Sequence, residues 1–122
     1  MSSVAACRVL VVEDEDDLRH IYCHWLRLAG YDACEARDGL IALRLLDSGL
    51  DPGVIVLDLM LPRVDGVAVY SEVRSHGETS DIPIVVVTGS QRDTSVLKVA
   101  ATLQKPLVCE SLVAAVRAAN SR

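Results

Sequence analysis

Four short apolar runs, rich in valine and isoleucine, recur along the chain and are separated by segments of helical pattern. Runs of this length and composition are typical of strands buried on both faces of a parallel sheet, because helices cover each side of such a sheet. The alternation of strands with helices predicts right-handed crossovers within one sheet. The runs are Val9–Val12, Val54–Leu57, Ile84–Val87 and the weaker Ala100–Leu103.

The order of these elements indicates an α/β protein with a flavodoxin-like, three-layer, doubly wound, five-stranded parallel sheet of strand order 2-1-3-4-5. We expect a short or irregular fourth helix, and one domain over residues 1–122 with its core at about 8–119. The predicted strands are Arg8–Glu13, Tyr31–Ala36, Val54–Asp58, Ile82–Thr88 and a brief fifth. The predicted helices are about Asp16–Ala29, a helix that Asp38 can cap and that runs to about Ser48, Val67–Ser75 and Leu107–Ala119, with Ser90–Val99 weakly helical at best.

Charge and hydropathy narrow the classes of protein to which the chain could belong. The net charge is -5 and the 12 lysines and arginines are scattered, so we expect no direct contact with nucleic acid. No apolar stretch approaches the roughly 18 residues of a membrane-spanning helix. Residues 1–6 lack the basic and apolar regions of a signal peptide. We therefore expect a cytoplasmic protein that does not bind membranes, with no output domain after the last helix.

The first predicted helix carries two histidines and one of the four cysteines, none of which belongs to a C-x-x-C pair. His20, Cys23 and His24 fall on or beside one face, where a transition metal could bind. The simpler interpretation is an exposed face of an amphipathic helix with a reduced cysteine. The inner face is predicted to carry Leu18, Ile21, Tyr22, Trp25 and Leu26.

Residues that can handle a metal ion or a phosphoryl group follow directly after the predicted strands. Ligands of open α/β sheets bind at the carboxyl ends of the strands, so these side chains should converge at one edge. Three acids, a hydroxyl and an ammonium placed together can hold a divalent cation and a phosphoryl group at once. The residues are Glu13 and Asp14 after the first strand, Asp58 after the third, Thr88 after the fourth and Lys105 after the fifth.

Asp58 is the least ambiguous of these residues, because a carboxylate that ends a Val-Ile-Val-Leu run should be partly buried. A carboxylate can attack phosphorus and form an acyl phosphate. The transition state spreads negative charge over three oxygens, which a cation, Lys105 and the Thr88 hydroxyl could stabilise. The oxygen-rich set suits Mg²⁺, or another divalent cation such as Mn²⁺. Taken alone, Thr88 would be an ordinary strand-end hydroxyl and Lys105 a surface lysine.

From Arg8 to about Ala119, the chain resembles the response-regulator receiver domains of two-component signalling. The resemblance rests on four motifs that occur in the family's order. The matching residues are Val11-Val12-Glu13-Asp14, then Asp58-Leu59-Met60-Leu61-Pro62 with Asp65-Gly66, then Thr88-Gly89, and then Lys105-Pro106.

The resemblance implies a signalling domain rather than an enzyme, at most with self-phosphorylation and autodephosphorylation. Its donor would be a phosphohistidine on a sensor histidine kinase or a histidine phosphotransfer protein, or a small acyl phosphate. Its output would be phosphorylation-dependent contact with an unknown downstream protein. Met60 and Ser90 would tune dephosphorylation. The implied roles are phosphoacceptor for Asp58, contact with the phosphoryl group for Thr88 and Lys105, direct Mg²⁺ ligation for Asp14, Asp58 and the Met60 carbonyl, and ligation through water for Glu13.

Two features depart from the usual pattern of such receivers. Thr102 stands three positions before Lys105, where an aromatic switch residue is usual, and no aromatic lies between Thr88 and Lys105. The stretch from Thr88 to Lys105 is also shorter than usual by more than a helical turn. Both changes fall on the face that many receivers use for dimerisation and output. They leave phosphorylation plausible but argue against the usual aromatic switch and the usual dimer in this chain.

Three other functions fit parts of the pattern. A haloacid-dehalogenase-like phosphatase needs a second aspartate two positions after its nucleophile, where this chain has Met60. A flavodoxin-like cofactor binder needs a phosphate-cradling loop after the first strand, where this chain has Glu15-Asp16-Asp17. A receiver-like docking module that is never phosphorylated stays open, although the intact acidic set argues against it.

Overall fold

The structure, a computed structural model, describes residues 8–89 and 94–120 and forms five strands and four helices within those ranges. The elements are Arg8–Val12 (β1), Asp16–Leu28 (α1), Asp32–Ala36 (β2), Gly39–Asp47 (α2), Val54–Asp58 (β3), Gly66–Ser75 (α3), Ile84–Thr88 (β4), Ala101–Gln104 (β5) and Cys109–Asn120 (α4). The strands form one sheet in the order β2-β1-β3-β4-β5, and all four pairings are parallel. The predicted fold class and strand order are confirmed.

The sheet lies between two helical layers, which explains the apolar runs of the sequence. Every residue of β3 and β4 is buried, because α1 and α4 cover one face of the sheet while α2 and α3 cover the other. Burial of each such side chain contributes roughly 1.5–3 kcal/mol relative to exposure. The strand residues divide by face into Val9, Val11, Val54, Val56, Val85 and Val87 on the first and Leu10, Val12, Ile55, Leu57, Ile84 and Val86 on the second.

The ends of the elements differ from the predicted ends by one or two residues in most cases. Strand β4 begins at Ile84 rather than Ile82, because Pro83 has no N–H to give to a strand ladder. Helix α2 begins after Asp38, whose carboxylate accepts a hydrogen bond of 2.8 Å from the Ile41 amide. The prediction that Asp38 caps this helix is therefore confirmed.

The inner face of α1 is only partly the predicted one. Ile21 is 42% exposed, while Arg19 and Cys23 are buried beside Tyr22 and Leu26. A charged residue on the inner face was not predicted, and neither was the burial of Cys23. Since His20 and His24 are exposed and Cys23 is fully buried, the three do not form a metal site. Among the described residues, the group whose ligand atoms lie close enough to hold a metal ion is made of three acids, Glu13, Asp14 and Asp58.

The connection between β4 and β5 forms no helix in its described part, residues 94–100. This agrees with the prediction that the fourth helix would be short or irregular. Instead, α3 holds this segment through polar contacts. The Lys98 amide donates to the Tyr70 hydroxyl at 2.6 Å. The Arg74 guanidinium, which lies over the Tyr70 ring, donates to the Lys98 carbonyl of this segment at 2.8 Å. It also donates to the carbonyls of Ser80 and Ile82 in the α3–β4 loop, at 3.0 and 2.7 Å. Ser90, which the resemblance assigns to the tuning of dephosphorylation, lies outside the described residues.

None of the helices in the described part of the chain is long and apolar enough to cross a membrane.

Candidate functional site

The carboxyl ends of the strands bring the predicted residues to one edge of the sheet. Asp58, the last residue of β3, pairs with Val87, so Thr88 ends β4 one position further along. The Lys105 amide continues the β5 ladder and donates to the Thr88 carbonyl at 2.9 Å. Parallel pairing with this register therefore places three of the predicted residues on neighbouring strands at the same edge.

Three carboxyl groups meet at this edge. One oxygen from each of Glu13, Asp14 and Asp58 lies within 4.8 Å of the others. Glu13 is 1% exposed and Asp58 is 2% exposed, whereas Asp14 is open to solvent. The group of acids thus consists of two buried carboxyl groups and one that is accessible to solvent.

Lys105 bridges the two buried carboxylates of the group. Its Nζ lies 2.8 Å from Glu13 Oε1 and 3.1 Å from Asp58 Oδ2. Burial alone would lower the pKa of Lys105, but the carboxylates of Glu13 and Asp58 outweigh burial and raise it. Lys105 is therefore a permanent cation that offsets one of the carboxylate charges.

Glu13 has the buried oxygen that best fits a cation. Its Oε2 accepts a hydrogen bond of 3.1 Å from the Glu15 amide. Its Oε1 is buried and faces the Lys105 ammonium, whose Nζ lies 2.8 Å away. Burial raises the pKa of Glu13, against the opposing effects of Lys105 and the Glu15 amide. A hard divalent cation prefers carboxylate oxygens of this kind, so the residues present fit Mg²⁺.

Asp58 is held on both of its carboxylate oxygens. Oδ1 accepts a hydrogen bond of 2.9 Å from the Met60 amide, and Oδ2 accepts one from Lys105. The backbone beside it is packed against Gly66, at which an added Cβ would lie 2.4 Å from the Asp58 carbonyl oxygen and from Leu59 Cα. The loop after β3 therefore fixes the position of the Asp58 carboxylate.

The other residues named from the sequence lie on or directly after β3, β4 and β5. Thr88 is 3% exposed at the end of β4. The Met60 side chain is 55% exposed, while its amide faces Asp58. The Lys105–Pro106 peptide bond is cis. Thr102 is exposed on β5, and its hydroxyl lies 3.2 Å from that of Thr94 in the β4–β5 connection.

Arg19 also belongs to this region, although the sequence analysis did not predict it. Its guanidinium is buried beneath the turn between β1 and α1 and donates to the Glu13 carbonyl at 3.1 Å. The sequence does contain a signal, since Arg19 is separated from Tyr22 and Leu26 by three and seven positions and so falls on the apolar face of α1. A charged residue on such a face needs buried partners.

Comparison with known proteins gives consistent matches. The family model described as response regulator receiver domain matches residues 9–117. The response regulator MprA of Mycobacterium sp. (strain KMS) is 38% identical over 118 residues, which is 91% of this chain and 49% of MprA. The chain spans about half the length of the curated relatives of this name that it matches.

Solved structures with the same fold include two receivers at 25% identity. The chemotaxis response regulator CheY4 of Vibrio cholerae has a TM-score of 0.85, with 94% of this chain and 99% of that chain covered. The signal receiver domain of a signal transduction histidine kinase from Syntrophus aciditrophicus has a TM-score of 0.88, with 95% and 91% covered. These matches therefore cover nearly the whole of this chain.

Proposed function

The chain belongs to the response regulator receiver domain family, and we propose that it accepts a phosphoryl group on Asp58 in a reaction that depends on a divalent cation. The observation that carries the proposal is the Asp58 carboxylate, which is 2% exposed and held by the Met60 amide and Lys105. A buried carboxylate fixed in this way is oriented before it reacts, which lowers the entropic part of the barrier.

The proposed reaction transfers a phosphoryl group from the nitrogen of a phosphohistidine. A carboxylate oxygen of Asp58 attacks the phosphorus, the P–N bond breaks, and the imidazole nitrogen leaves with the electron pair. The product is an acyl phosphate. Charge on the phosphoryl oxygens then needs stabilisation, because phosphoryl transfer involves little other covalent chemistry.

Three groups of the site supply this stabilisation in our proposal. Lys105 forms an ion pair with one phosphoryl oxygen in place of its present pair with Asp58 Oδ2, 3.1 Å away. The Thr88 hydroxyl donates to a second oxygen. A divalent cation, Mg²⁺ or Mn²⁺, would neutralise a third and would be held by Asp14, Asp58, the Met60 carbonyl and, through water, Glu13.

The proposed partners follow from the chemistry and the family. The donor is a sensor histidine kinase or a histidine phosphotransfer protein, and the output is contact with a downstream protein. Since the chain spans about half of its MprA relatives, the activity of those whole proteins is not transferred to it. The absence of direct nucleic-acid contact stays a prediction, made from the net charge of -5.

Intact mass after incubation with acetyl phosphate and Mg²⁺ tests the proposal. We expect one phosphoryl adduct on the wild type, and none with EDTA or in Asp58→Asn. Asp51→Asn is the matched control, because Asp51 is an exposed carboxylate before β3, at the opposite edge of the sheet. Absence of the adduct from the wild type, with both acetyl phosphate and the authentic kinase, would instead favour an unphosphorylated docking module.

A further inference from the structure

Arg19 is a buried arginine whose guanidinium joins three elements around the acidic edge. The residue is 7% exposed. Its Nη1 donates to the Glu13 carbonyl at 3.1 Å, its Nη2 to Asp16 Oδ1 at 2.7 Å, and its Nε to Glu35 Oε1 at 3.0 Å. One side chain therefore ties the end of β1 to the first turn of α1 and to β2.

These contacts complete the fixation of the Glu13 backbone. The Glu13 amide donates to the Ala36 carbonyl of β2 at 3.1 Å, while the Glu13 carbonyl accepts from Arg19. The Arg19 amide also donates to the Glu15 carbonyl at 2.9 Å, which closes the first turn of α1. The short turn that carries Glu13 and Asp14 is thus held from both sides.

We infer that Arg19 is a positioning residue for the divalent cation: it fixes the turn that presents Glu13 and Asp14. The inference rests on the proposed function, because it concerns the cation that phosphoryl transfer requires. Partners of metal ligands that orient them without touching the metal commonly change affinity by 10–100-fold when they are replaced.

The positive charge of Arg19 and its positioning of the turn have opposite effects on the affinity for a divalent cation. A cationic side chain near the acids repels a bound cation, so loss of its charge would by itself strengthen Mg²⁺ binding. The charge is largely offset already, because Asp16 and Glu35 pair with the same guanidinium. Positioning and simple charge therefore predict opposite changes in affinity when Arg19 is replaced.

The substitution Arg19→Lys separates these two effects, because lysine keeps the positive charge but lacks the planar guanidinium with its several N–H donors. The guanidinium reaches three acceptors from Nε, Nη1 and Nη2, whereas an ammonium is a single compact donor group. Arg19→Lys should therefore leave the Glu13 carbonyl less firmly held while the local charge stays the same. Arg19→Gln removes both the charge and the guanidinium.

Isothermal titration of the full chain with MgCl₂ measures the effect directly. We expect Arg19→Lys and Arg19→Gln to bind Mg²⁺ about 10-fold more weakly than the wild type. Arg27→Gln is the matched control: Arg27 also pairs with Glu35, at 3.7 Å, but donates to the Ala33 carbonyl rather than to the turn. This control should bind as the wild type does. Wild-type affinity in Arg19→Lys, or tighter binding in Arg19→Gln, would overturn the inference.

A second variant covers a failure of the Arg19 variants to fold, which circular dichroism would show. Glu35→Gln keeps Arg19 but weakens its ion pair on β2. We expect weaker Mg²⁺ binding than in the wild type, and unchanged binding would overturn the inference. A wild type that binds no Mg²⁺ would refute the proposed function itself, whereas normal wild-type binding with unchanged variants would refute the role of Arg19 alone.

Discussion

Gly66 supports the backbone of the proposed phosphoacceptor, and its replacement by alanine tests that support. A Cβ at this position would lie 2.4 Å from both the Asp58 carbonyl oxygen and Leu59 Cα, where ordinary contacts are 3.4–4 Å. The obstructing atoms belong to the backbone, so no side-chain rotation can relieve the overlap. The loop after β3 or the start of α3 would have to move by about 1 Å.

The expected loss of stability is about 2 kcal/mol. Overpacking of this kind costs roughly 1–3 kcal/mol, and contact with backbone places Gly66→Ala towards the upper value. Alanine returns less than about 1 kcal/mol through its helix propensity, because the residue begins α3. A net loss near 2 kcal/mol corresponds to a decrease in Tm of about 8 °C for a domain of this size.

Urea unfolding followed by circular dichroism measures this loss. Gly77→Ala is the matched control, because no atom lies within 4 Å of its added Cβ, and it should stay within about 0.5 kcal/mol of the wild type. Gly66→Ala should also take up phosphoryl groups from acetyl phosphate more slowly, since the Asp58 backbone is displaced. Equal stability of the two variants would show that the β3–α3 loop does not depend on the absence of a Cβ at Gly66.

Three further predictions concern other parts of the molecule. Arg74→Ala removes hydrogen bonds to the carbonyls of Ser80 and Ile82 in the α3–β4 loop and of Lys98 in the β4–β5 connection, and it should lower the free energy of unfolding in urea by about 2 kcal/mol. The exposed Arg117→Ala should change it by less than about 0.5 kcal/mol, and equal values would contradict the role of Arg74 in holding these two loops. Burial raises the pKa of the Cys23 thiol from 9.0 to about 11. The unfolded chain therefore loses the thiol proton at a lower pH than the folded chain does, so the stability that the buried thiol contributes is fully present below pH 9 and is lost as pH rises towards 11. Over that interval, urea midpoints should fall less steeply with pH in Cys23→Ala than in the wild type. Parallel curves would argue against the raised pKa of Cys23. Mg²⁺ at a hundred times its dissociation constant should add about 2.7 kcal/mol to the free energy of unfolding of the wild type and much less to that of Asp14→Asn, and no gain in the wild type would contradict a cation site.

The sequence predicted the sheet and the convergence of the acids because both depend on short-range patterns. Strands buried on both faces are continuous apolar runs, and the residue that ends such a run must lie at the edge of the sheet. Asp58 and Lys105 are far apart in the chain, yet parallel pairing places Nζ 3.1 Å from Oδ2. The family resemblance added the expected roles of these residues, which stay predictions until phosphorylation is measured.

The sequence did not predict contacts that depend on tertiary geometry. Periodicity placed Ile21 on the inner face of α1, but the helix is rotated so that Arg19 and Cys23 are buried instead. Spacing along α1 could suggest the pair of Arg19 with Asp16, but its contacts with the Glu13 carbonyl and with Glu35 of β2 depend on how the strands and the helix pack. In the same way, the bonds from Tyr70 and Arg74 to the β4–β5 connection become visible only once α3 is packed beside it.

The β4–β5 connection departs from the usual receiver pattern, whereas the acidic site retains the residues of that pattern. Thr102 is exposed and its hydroxyl lies 3.2 Å from the Thr94 hydroxyl, so this position contains no aromatic ring to change its orientation. The connection is anchored to α3 rather than folded as a helix in its described part, residues 94–100. We therefore expect a signal to leave this face by a route other than rotation of an aromatic side chain.

Chemical mapping of the phosphoryl group identifies the residue that accepts it. Borohydride reduces an aspartyl phosphate to homoserine, so the wild type is treated with acetyl phosphate and Mg²⁺, reduced, digested and sequenced by mass spectrometry. We expect homoserine at position 58, and none when EDTA is present. Homoserine at position 14 instead, or a phosphate that resists reduction and maps to Thr88, would contradict the assignment of Asp58 as the phosphoacceptor.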